Sequence, residues 1–437
     1  MITRRGFTKA GGLALFAAGI GGVPSFLTRA ARAATAAPPV SRRKTVVAVF
    51  QRGAMDGLAA VQPLADPYLA TLRPRLVLRP SREPGDGGLL ALSDGYGLHP
   101  ALAPLLPFYQ EGQMAVVHGV GSPVPTRSHF DAQAYMETGA PGDKSATSGW
   151  LNRAVGLAGH DAHGHGAHGP ADTPFRAVAV GPSMPRALTG PAPAVAIASL
   201  DRFTLPTGTG DFTADGLDAL YRQTAADVLG GDVLQAAGRE SLDASTLIGR
   251  ATARAYRPEH GAEYPRQQVG QRLRQVAHLV KLDVGLEVAF VEMGGWDTHV
   301  RQARSFERQA AALGQALAAF WTDLGDRRDD VVLMTMTEFG RSVSENGSGG
   351  TGHGRASCLF VLGTGIDGGT VHGEPFVLAH DALEDGRDLP VSTDFRAVFA
   401  SVAQGHLGVP LDPPPGTAAA DALFPGWAGR PLPLFRG

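Results

Sequence analysis

The chain has 437 residues, and 39 lysines and arginines are balanced by 41 aspartates and glutamates to a net charge of −2. This net charge gives no sign of the basic patch that nucleic-acid binding requires. The single cysteine, Cys358, excludes a disulfide framework within the chain. A chain of this length can bury one large α/β core or two smaller ones.

The N-terminal residues have the pattern of an export signal. Arg4 and Arg5 precede an apolar segment at residues 11–27, which is glycine-rich and interrupted by Pro24, and a small-residue cleavage site follows at 31–33. This is typical of a twin-arginine signal peptide, which is removed on export. We expect the twin-arginine translocase as a partner, a periplasmic or secreted location, and no membrane span in the mature chain. The expected signal, linker and folded domain are residues 1–33, 34–44 and 45–437.

Two strands predicted in the first third of the chain lead into polar loops. Residues 45–50 are an apolar, β-branched run followed by Asp56, which is also well placed to be a helix N-cap. Residues 114–118 are a second run, and the loop after it carries Thr126, Ser128 and His129 before a predicted helix. Proline-rich residues between these strands are expected to be irregular. Two further short helices are predicted at residues 99–109 and 149–157.

The middle of the chain combines a histidine-rich loop with a predicted insertion. Four histidines fall within nine glycine- and alanine-rich residues, at positions 160, 163, 165 and 168. Clustered histidines can bind metal, but glycine spacing gives them no fixed geometry, and a mobile loop is the better interpretation. Residues 176–180 are strand-like. The composition of residues 181–262 then differs from its flanks and predicts a partly helical insertion that caps the sheet.

The second half of the chain alternates helices and strands. Apolar residues at helical spacing predict core-facing helices at 265–283 and 305–324. An apolar strand at 286–291 breaks at two glycines and then presents Asp297 and His299. Strands are also predicted at 331–336 and 357–362, and a last helix at 394–406. This alternation indicates a three-layer α/β/α domain with a mostly parallel sheet.

Ionisable and nucleophilic residues recur at the ends of these strands. In a doubly wound fold, the carboxyl ends of parallel strands meet at one edge, where ligands bind. Carboxylates and imidazoles suit divalent metals, and two ions close together can catalyse displacement at a phosphate or sulfate ester. The nucleophile would be a side-chain hydroxyl or a water activated by the metals. The candidate residues are Asp56, Thr126, Ser128, His129, Asp297, His299, Glu338, Arg341 and His353.

These motifs together resemble the domain-of-unknown-function 1501 family, related to the alkaline phosphatase and sulfatase superfamily. The resemblance covers nearly the whole mature chain and is specific for family rather than for substrate. A glycine pattern at residues 363–368 fits a dinucleotide-binding motif but is not followed by a helix. The matching segments are residues 52–58, 127–130, 149–151, 294–299, 337–341 and 352–354.

The resemblance implies roles for most of these candidates. Asp56, Asp297, His299, Glu338 and His353 look like metal ligands, for zinc, manganese or calcium. Ser128, with Thr126 as the alternative, is similar in position to the hydroxyl nucleophile, and Arg341 would hold an anionic substrate.

Two positions depart from the family pattern. Phe339 occupies the expected place of a histidine ligand, and Gly352 the place of an aspartate. These departures remove one nitrogen and one carboxylate, and leave a single metal, or none, as alternatives to a two-metal site.

The sequence therefore predicts an exported metal-dependent hydrolase of a small anionic phosphate or sulfate ester. The alternative is a non-catalytic exported protein that keeps the hydrolase fold for binding or assembly. A third possibility, an exported oxidoreductase, fits the export route but has no supporting cofactor motif.

Overall fold

The computed structural model describes residues 43–83, 85–93, 95–158, 175–200, 256–412, 418 and 422–436. The strands in these residues are β1 Thr45–Gln51, β2 Val61–Pro63, β3 Leu90–Ala91, β4 Tyr96–Leu98, β5 Met114–Gly121, β6 Ala177–Val180, β7 Val195–Ile197, β8 Val288–Met293, β9 Val331–Met336, β10 Arg341–Glu345, β11 Thr351–His353, β12 Ser357–Leu362, β13 Val371–His372 and β14 Thr393–Asp394. Nine of these strands form the central sheet, in the order β13-β5-β12-β9-β1-β8-β6-β7 with β14 also paired to β5.

Helices pack on both faces of this sheet. They are α1 Gly57–Ala60, α2 Leu69–Leu72, α3 Leu106–Gln110, α4 His129–Thr138, α5 Trp150–Leu157, α6 Gln268–Lys281, α7 Gln302–Leu324 and α8 Phe395–Leu407. Short 3-10 turns lie at Pro100–Leu105, Arg186–Leu188, Gly325–Asp330 and His380–Ala382. Two small antiparallel sheets, β2-β4-β3 and β10-β11, lie beside the main one.

Every residue of the central strand β1 is buried. Because side chains alternate along a strand, Val47 and Val49 join one apolar cluster with α6 and α7. Val46, Ala48 and Phe50 join the opposite cluster with α5 and α8. Apolar side chains thus cover the sheet on both faces, which confirms the predicted α/β class and the mostly parallel sheet.

The direction of one strand decides where the polar loops meet. Among the described strands of the main sheet, β12 alone runs against its neighbours, pairing antiparallel with β5 and β9. The other pairings are parallel. The carboxyl ends of β1, β5, β8 and β9 therefore share one edge with the amino end of β12.

Most predicted elements are present with shifted ends. The helices predicted at 265–283 and 305–324 are α6 and α7, and the strand predicted at 286–291 is β8. The helix predicted at 99–109 is divided between a 3-10 turn and α3, because its prolines interrupt the helical hydrogen bonds.

Parts of the predicted organisation lie outside the described residues. These parts are the signal, most of the linker, the four clustered histidines at 160–168, and residues 201–255 of the predicted insertion. β7, which falls inside the insertion range of 181–262, pairs in parallel with β6 as the edge strand, so that part of the range belongs to the sheet. Among the described residues, no helix combines the length and apolarity needed to cross a membrane.

Gly53 allows two of the polar loops to touch. Its φ is +116°, and a Cβ there would lie 2.5 Å from the backbone nitrogen of Asp297. Gly53, the second residue after β1, is therefore held directly against the loop after β8.

We predict that Gly53→Ala destabilises the protein by about 2 kcal/mol or more, because it adds a backbone clash to an unfavourable φ. Gly87→Ala is the matched control, since Gly87 has φ +74° but nothing within 4 Å of the added Cβ. Urea unfolding of both variants measures the difference. Equal destabilisation would show that the clash contributes nothing.

Candidate metal centre

Three side chains from different loops converge at the shared edge of the sheet. They are His129 at the start of α4, Asp297 after β8, and His353 at the end of β11, and one ligand atom from each lies within 4.8 Å of the others. His353 Nε2 is 3.1 Å from His129 Nε2 and 3.2 Å from Asp297 Oδ1. His129 Nε2 is 3.6 Å from Asp297 Oδ2.

Glu338 fixes the tautomer of His129. Burial alone would raise the pKa of the Glu338 carboxyl, but hydrogen bonds, chiefly from His129 and Gln133, lower it overall. Glu338 is therefore an anionic acceptor, and it lies 2.8 Å from His129 Nδ1. Since Nδ1 must donate here, the neutral imidazole carries its lone pair on Nε2. This carboxylate–histidine pairing is typical of metal-binding histidines.

A backbone carbonyl does the same for His353. His353 Nδ1 lies 3.0 Å from the carbonyl oxygen of Arg127, which can only accept a hydrogen bond. The proton is thus assigned to Nδ1 and the lone pair to Nε2. Burial is the main cause that lowers the pKa of His353, which keeps this imidazole neutral.

The three converging atoms are all acceptors. Burial alone would raise the pKa of Asp297, but the hydrogen bond from Arg341 and neighbouring positive charge lower it overall, so its carboxylate is anionic. Two imidazole lone pairs and this carboxylate repel one another unless a cation or a shared proton lies between them. Tetrahedral zinc, with bonds of about 2.0–2.1 Å, separates its ligand atoms by roughly 3.3–3.4 Å. The distance between the two Nε2 atoms, 3.1 Å, and that from His353 Nε2 to Asp297 Oδ1, 3.2 Å, are close to this separation. The other carboxylate oxygen, Asp297 Oδ2, lies 3.6 Å from His129 Nε2.

His299 lies beside the three ligands in a different tautomer. Arg341 Nη2 is 3.1 Å from His299 Nδ1, and because arginine only donates, Nδ1 accepts. The proton of His299 is therefore on Nε2, 2.8 Å from Asp297 Oδ1 and 3.0 Å from His353 Nε2. A protonated nitrogen does not bind metal, so His299, predicted as a ligand, is a hydrogen-bond donor in this arrangement.

Arg341 is placed differently from its predicted role. Its side chain is 0% exposed, so it does not present a surface to substrate. It donates to Asp297 Oδ1 at 2.6 Å and to the hydroxyl of Thr351 at 3.1 Å, as well as to His299. Arg341, predicted to hold an anionic substrate, directs its guanidinium at Asp297 and His299 in this structure.

Asp56 does not join the three ligands. It is buried, and its Oδ2 forms an ion pair of 2.7 Å with the equally buried Arg73. Its Oδ1 accepts from the amide of Ala59, so the alternative interpretation of Asp56 as a helix N-cap is confirmed. Asp56, predicted as a metal ligand, is thus paired with Arg73, which supplies positive charge beside the carboxylate.

Glu338 and the two hydroxyl candidates also have other partners. Glu338 Oε1 accepts from His129, Gln133 and the amide of Gly53, so it supports a ligand instead of binding metal. Ser128 is the exposed N-cap of α4 and accepts from the amide of Asp131. Thr126 accepts from the amide of Ser128. Among the described contacts, none joins the Ser128 or Thr126 hydroxyl to the three ligands.

The two positions that depart from the family pattern, Phe339 and Gly352, lie against neighbouring side chains. The Phe339 ring lies 5.0 Å from the ring of His129 and 5.1 Å from that of His353, and so forms an apolar wall behind both imidazoles. A Cβ on Gly352 would meet Arg387 Nη2 at 3.2 Å. An arginine therefore lies where an aspartate side chain would begin.

The sequence places His129 among the candidates but assigns it no role, because the resemblance favours the adjacent Ser128. The sequence signal for His129 is its position between a predicted strand and a predicted helix. In the structure it is the first residue of α4.

Comparison with known proteins is informative at the level of family. A profile of the family described as Protein of unknown function (DUF1501) matches residues 103–408. No curated protein sequence matches the chain. The solved structure described as "Crystal structure of Ps i-CgsB in complex with k-i-k-neocarrahexaose" is similar at 9% identity and a TM-score of 0.36, over 85% of this chain and 73% of that chain. The family match spans more than half of the chain and includes His129, Asp297 and His353.

We predict that Arg73→Met destabilises the protein by about 3–5 kcal/mol, because it leaves the Asp56 carboxylate buried without a cation. The double variant Asp56→Asn/Arg73→Met should lose less than the sum of the single changes. Urea unfolding of the four proteins measures this coupling. Strictly additive losses would contradict the ion pair, and loss of bound metal in Asp56→Asn would restore Asp56 as a ligand.

Proposed function

The chain belongs to the DUF1501 family, and from its candidate metal centre we propose that it is an exported, metal-dependent hydrolase of phosphate or sulfate esters. The alkaline-phosphatase-like fold and the twin-arginine export route are part of this proposal. They are supported by the sequence motifs and by the placement of the candidate residues at one sheet edge.

The observation that carries the proposal is the convergence of His129 Nε2 and His353 Nε2, 3.1 Å apart, beside the Asp297 carboxylate. Two nitrogens and one oxygen suit zinc or manganese, whereas calcium prefers six to eight oxygen ligands. Three protein ligands with a further open position are typical of catalytic metal sites. Asp297 is 45% exposed on its side chain, so the open side faces solvent.

The donor set supports one metal. The second-metal candidates are already engaged, since Asp56 pairs with Arg73 and Glu338 accepts from His129. Arg341 adds a fixed positive charge against Asp297. A second divalent cation would therefore have to displace a buried arginine.

The residues divide the work of ester hydrolysis between them. When bound, the metal would supply Lewis-acid polarisation of the ester and activation of water. His129, His353 and Asp297 would hold it, and Nε2–H of His299 donates toward Asp297 Oδ1 and so helps to orient this carboxylate. Water forms the new bond to phosphorus or sulfur, the ester oxygen leaves, and the proton released by water passes to the leaving oxygen.

Water is the nucleophile that the site favours. Ser128 was the first candidate, but its hydroxyl caps α4 and is exposed. The other predicted nucleophile, a water activated by the metal, requires no side-chain hydroxyl near the three ligands.

A second candidate is a non-catalytic protein that retains the fold and binds metal for recognition or assembly. Phe339 and Gly352, where the family pattern has ligands, favour it. Metal binding without turnover of aryl phosphates or aryl sulfates would support this candidate over the hydrolase.

We predict that the purified protein binds one zinc or manganese ion per chain. His129→Ala and His353→Ala should each weaken binding by more than about 100-fold, because a ligand loss exceeds the 10–100-fold effect of outer partners. His372→Ala is the control, since His372 bonds the carbonyl of Asp367 away from the centre. Elemental analysis after equilibration gives the stoichiometry, and hydrolysis of p-nitrophenyl phosphate and sulfate should fall in parallel. Two ions per chain, or unchanged binding in His353→Ala, would contradict the assignment.

We predict that metal affinity is lost as the pH falls through the pKa of His129. The hydrogen bond to Glu338 is the main cause that raises this pKa above the ordinary value of about 6.5. Because protonated imidazole cannot bind metal, the loss should begin above that value. In Glu338→Gln the pKa falls and the midpoint should move to lower pH. Zinc competition titrations between about pH 5.5 and 8.5 test this, and a midpoint that stays the same in Glu338→Gln would refute it.

A further inference from the structure

We infer that Asp388 is a positioning residue for the metal centre, which holds His353 in its metal-binding orientation without touching the ligand atoms. This inference rests on the proposed metal site. It concerns a buried carboxylate that the motifs did not single out.

Asp388 anchors the residue whose carbonyl orients His353. Arg127 Nε and Nη2 both donate to Asp388 Oδ2, at 3.1 and 2.5 Å. The carbonyl of the same Arg127 accepts from His353 Nδ1 at 3.0 Å. Fixing this guanidinium therefore fixes the peptide group that selects the His353 tautomer.

A second arginine holds His353 through its backbone. Arg387 Nη2 donates to the carbonyl of His353 at 2.5 Å, and Arg387 Nε lies 3.4 Å from Asp388 Oδ1. Asp388 thus lies between two guanidinium groups. The first belongs to Arg127, whose backbone carbonyl accepts from the His353 imidazole, and the second, of Arg387, donates to the backbone carbonyl of His353.

The turn that carries Asp388 is hydrogen-bonded to the β10–β11 pair, which includes His353. The amide of Asp388 bonds the carbonyl of Glu384 at 3.0 Å, and Arg355 Nε donates to Glu384 Oε1 at 2.7 Å. The amide of Val343 in β10 donates to the carbonyl of Arg387 at 3.0 Å. Hydrogen bonds therefore tie the turn to the segment that carries His353.

Because the Asp388 carboxylate is buried, it needs its ion pairs. Its side chain is 0% exposed, and Oδ1 accepts no hydrogen bond in the described structure. A buried carboxylate is stable only when it is paired, and here both partners serve His353. Asp385 also contacts Arg127, at 3.4 Å, but is 72% exposed on its side chain, so solvent screens that contact.

Neutralising Asp388 should loosen Arg127 and free the imidazole of His353 to rotate or change tautomer. Outer partners of metal-bound histidines typically contribute 10–100-fold to metal affinity. We expect Asp388→Asn to weaken zinc binding by about this factor, with Asp385→Asn unchanged within about twofold.

The test measures zinc affinity by competition with a chromophoric chelator, and records the visible spectrum of the Co²⁺-loaded protein. Four variants of the full chain are compared with wild type: Asp388→Asn, Asp385→Asn, Arg127→Met and Arg127→Lys. Arg127→Met should resemble Asp388→Asn, and Arg127→Lys should recover part of the affinity because it restores the ion pair. A changed cobalt spectrum in Asp388→Asn would report altered ligand geometry.

The outcomes separate this inference from the proposed function. If wild type binds zinc and Asp388→Asn binds it equally well with the same cobalt spectrum, the positioning role is overturned while the metal centre stands. If Arg127→Lys is no better than Arg127→Met in a folded protein, the role of the ion pair is overturned. If wild type binds neither zinc nor cobalt, the proposed function fails and the inference with it.

Discussion

The candidate metal centre depends on three acceptor groups, from His129, His353 and Asp297, that lie close together although they repel one another. The Nε2 atoms of His129 and His353 face one another, because Nδ1 of each ring donates a hydrogen bond, to Glu338 and to the Arg127 carbonyl respectively. The Asp297 carboxylate adds negative charge to the same space. A metal between these groups would remove their repulsion, and without metal the raised pKa of His129 favours a proton there instead. A metal and a proton therefore compete for one position.

The sheet topology makes that contact possible. Because β12 runs against its neighbours, the chain approaches this strand along the edge where the parallel strands end. His353 therefore arrives beside Asp297 from the loop after β8 and His129 from the loop after β5. Gly53 keeps the loop after β1 close to Glu338, and the backbone amide of Gly53 donates a hydrogen bond to the Glu338 carboxylate. The remaining charges, above all Arg341 and Arg73, are buried and neutralise the carboxylates around this position.

Local pattern was sufficient to predict the six longest described strands of the main sheet, α6, α7 and the loop carrying Asp297, since apolar periodicity and glycine breaks are properties of neighbouring residues. It could not assign partners. Arg73 lies in a proline-rich stretch without periodicity, so its pairing with Asp56 left no local signal. His129 and His299 differ in function through one hydrogen bond each, to Glu338 and to Arg341, over 209 and 42 residues of sequence separation. Tautomers set by such distant partners are not encoded in any motif.

The most direct test is anomalous diffraction at the zinc absorption edge from crystals of the zinc-equilibrated protein. The account predicts a single peak about 2.0–2.1 Å from Nε2 of both His129 and His353, with a carboxylate oxygen of Asp297 at a similar distance. Arg341 should stay in place against Asp297. A peak beside Asp56, or no peak between the two imidazoles at saturating zinc, would contradict it.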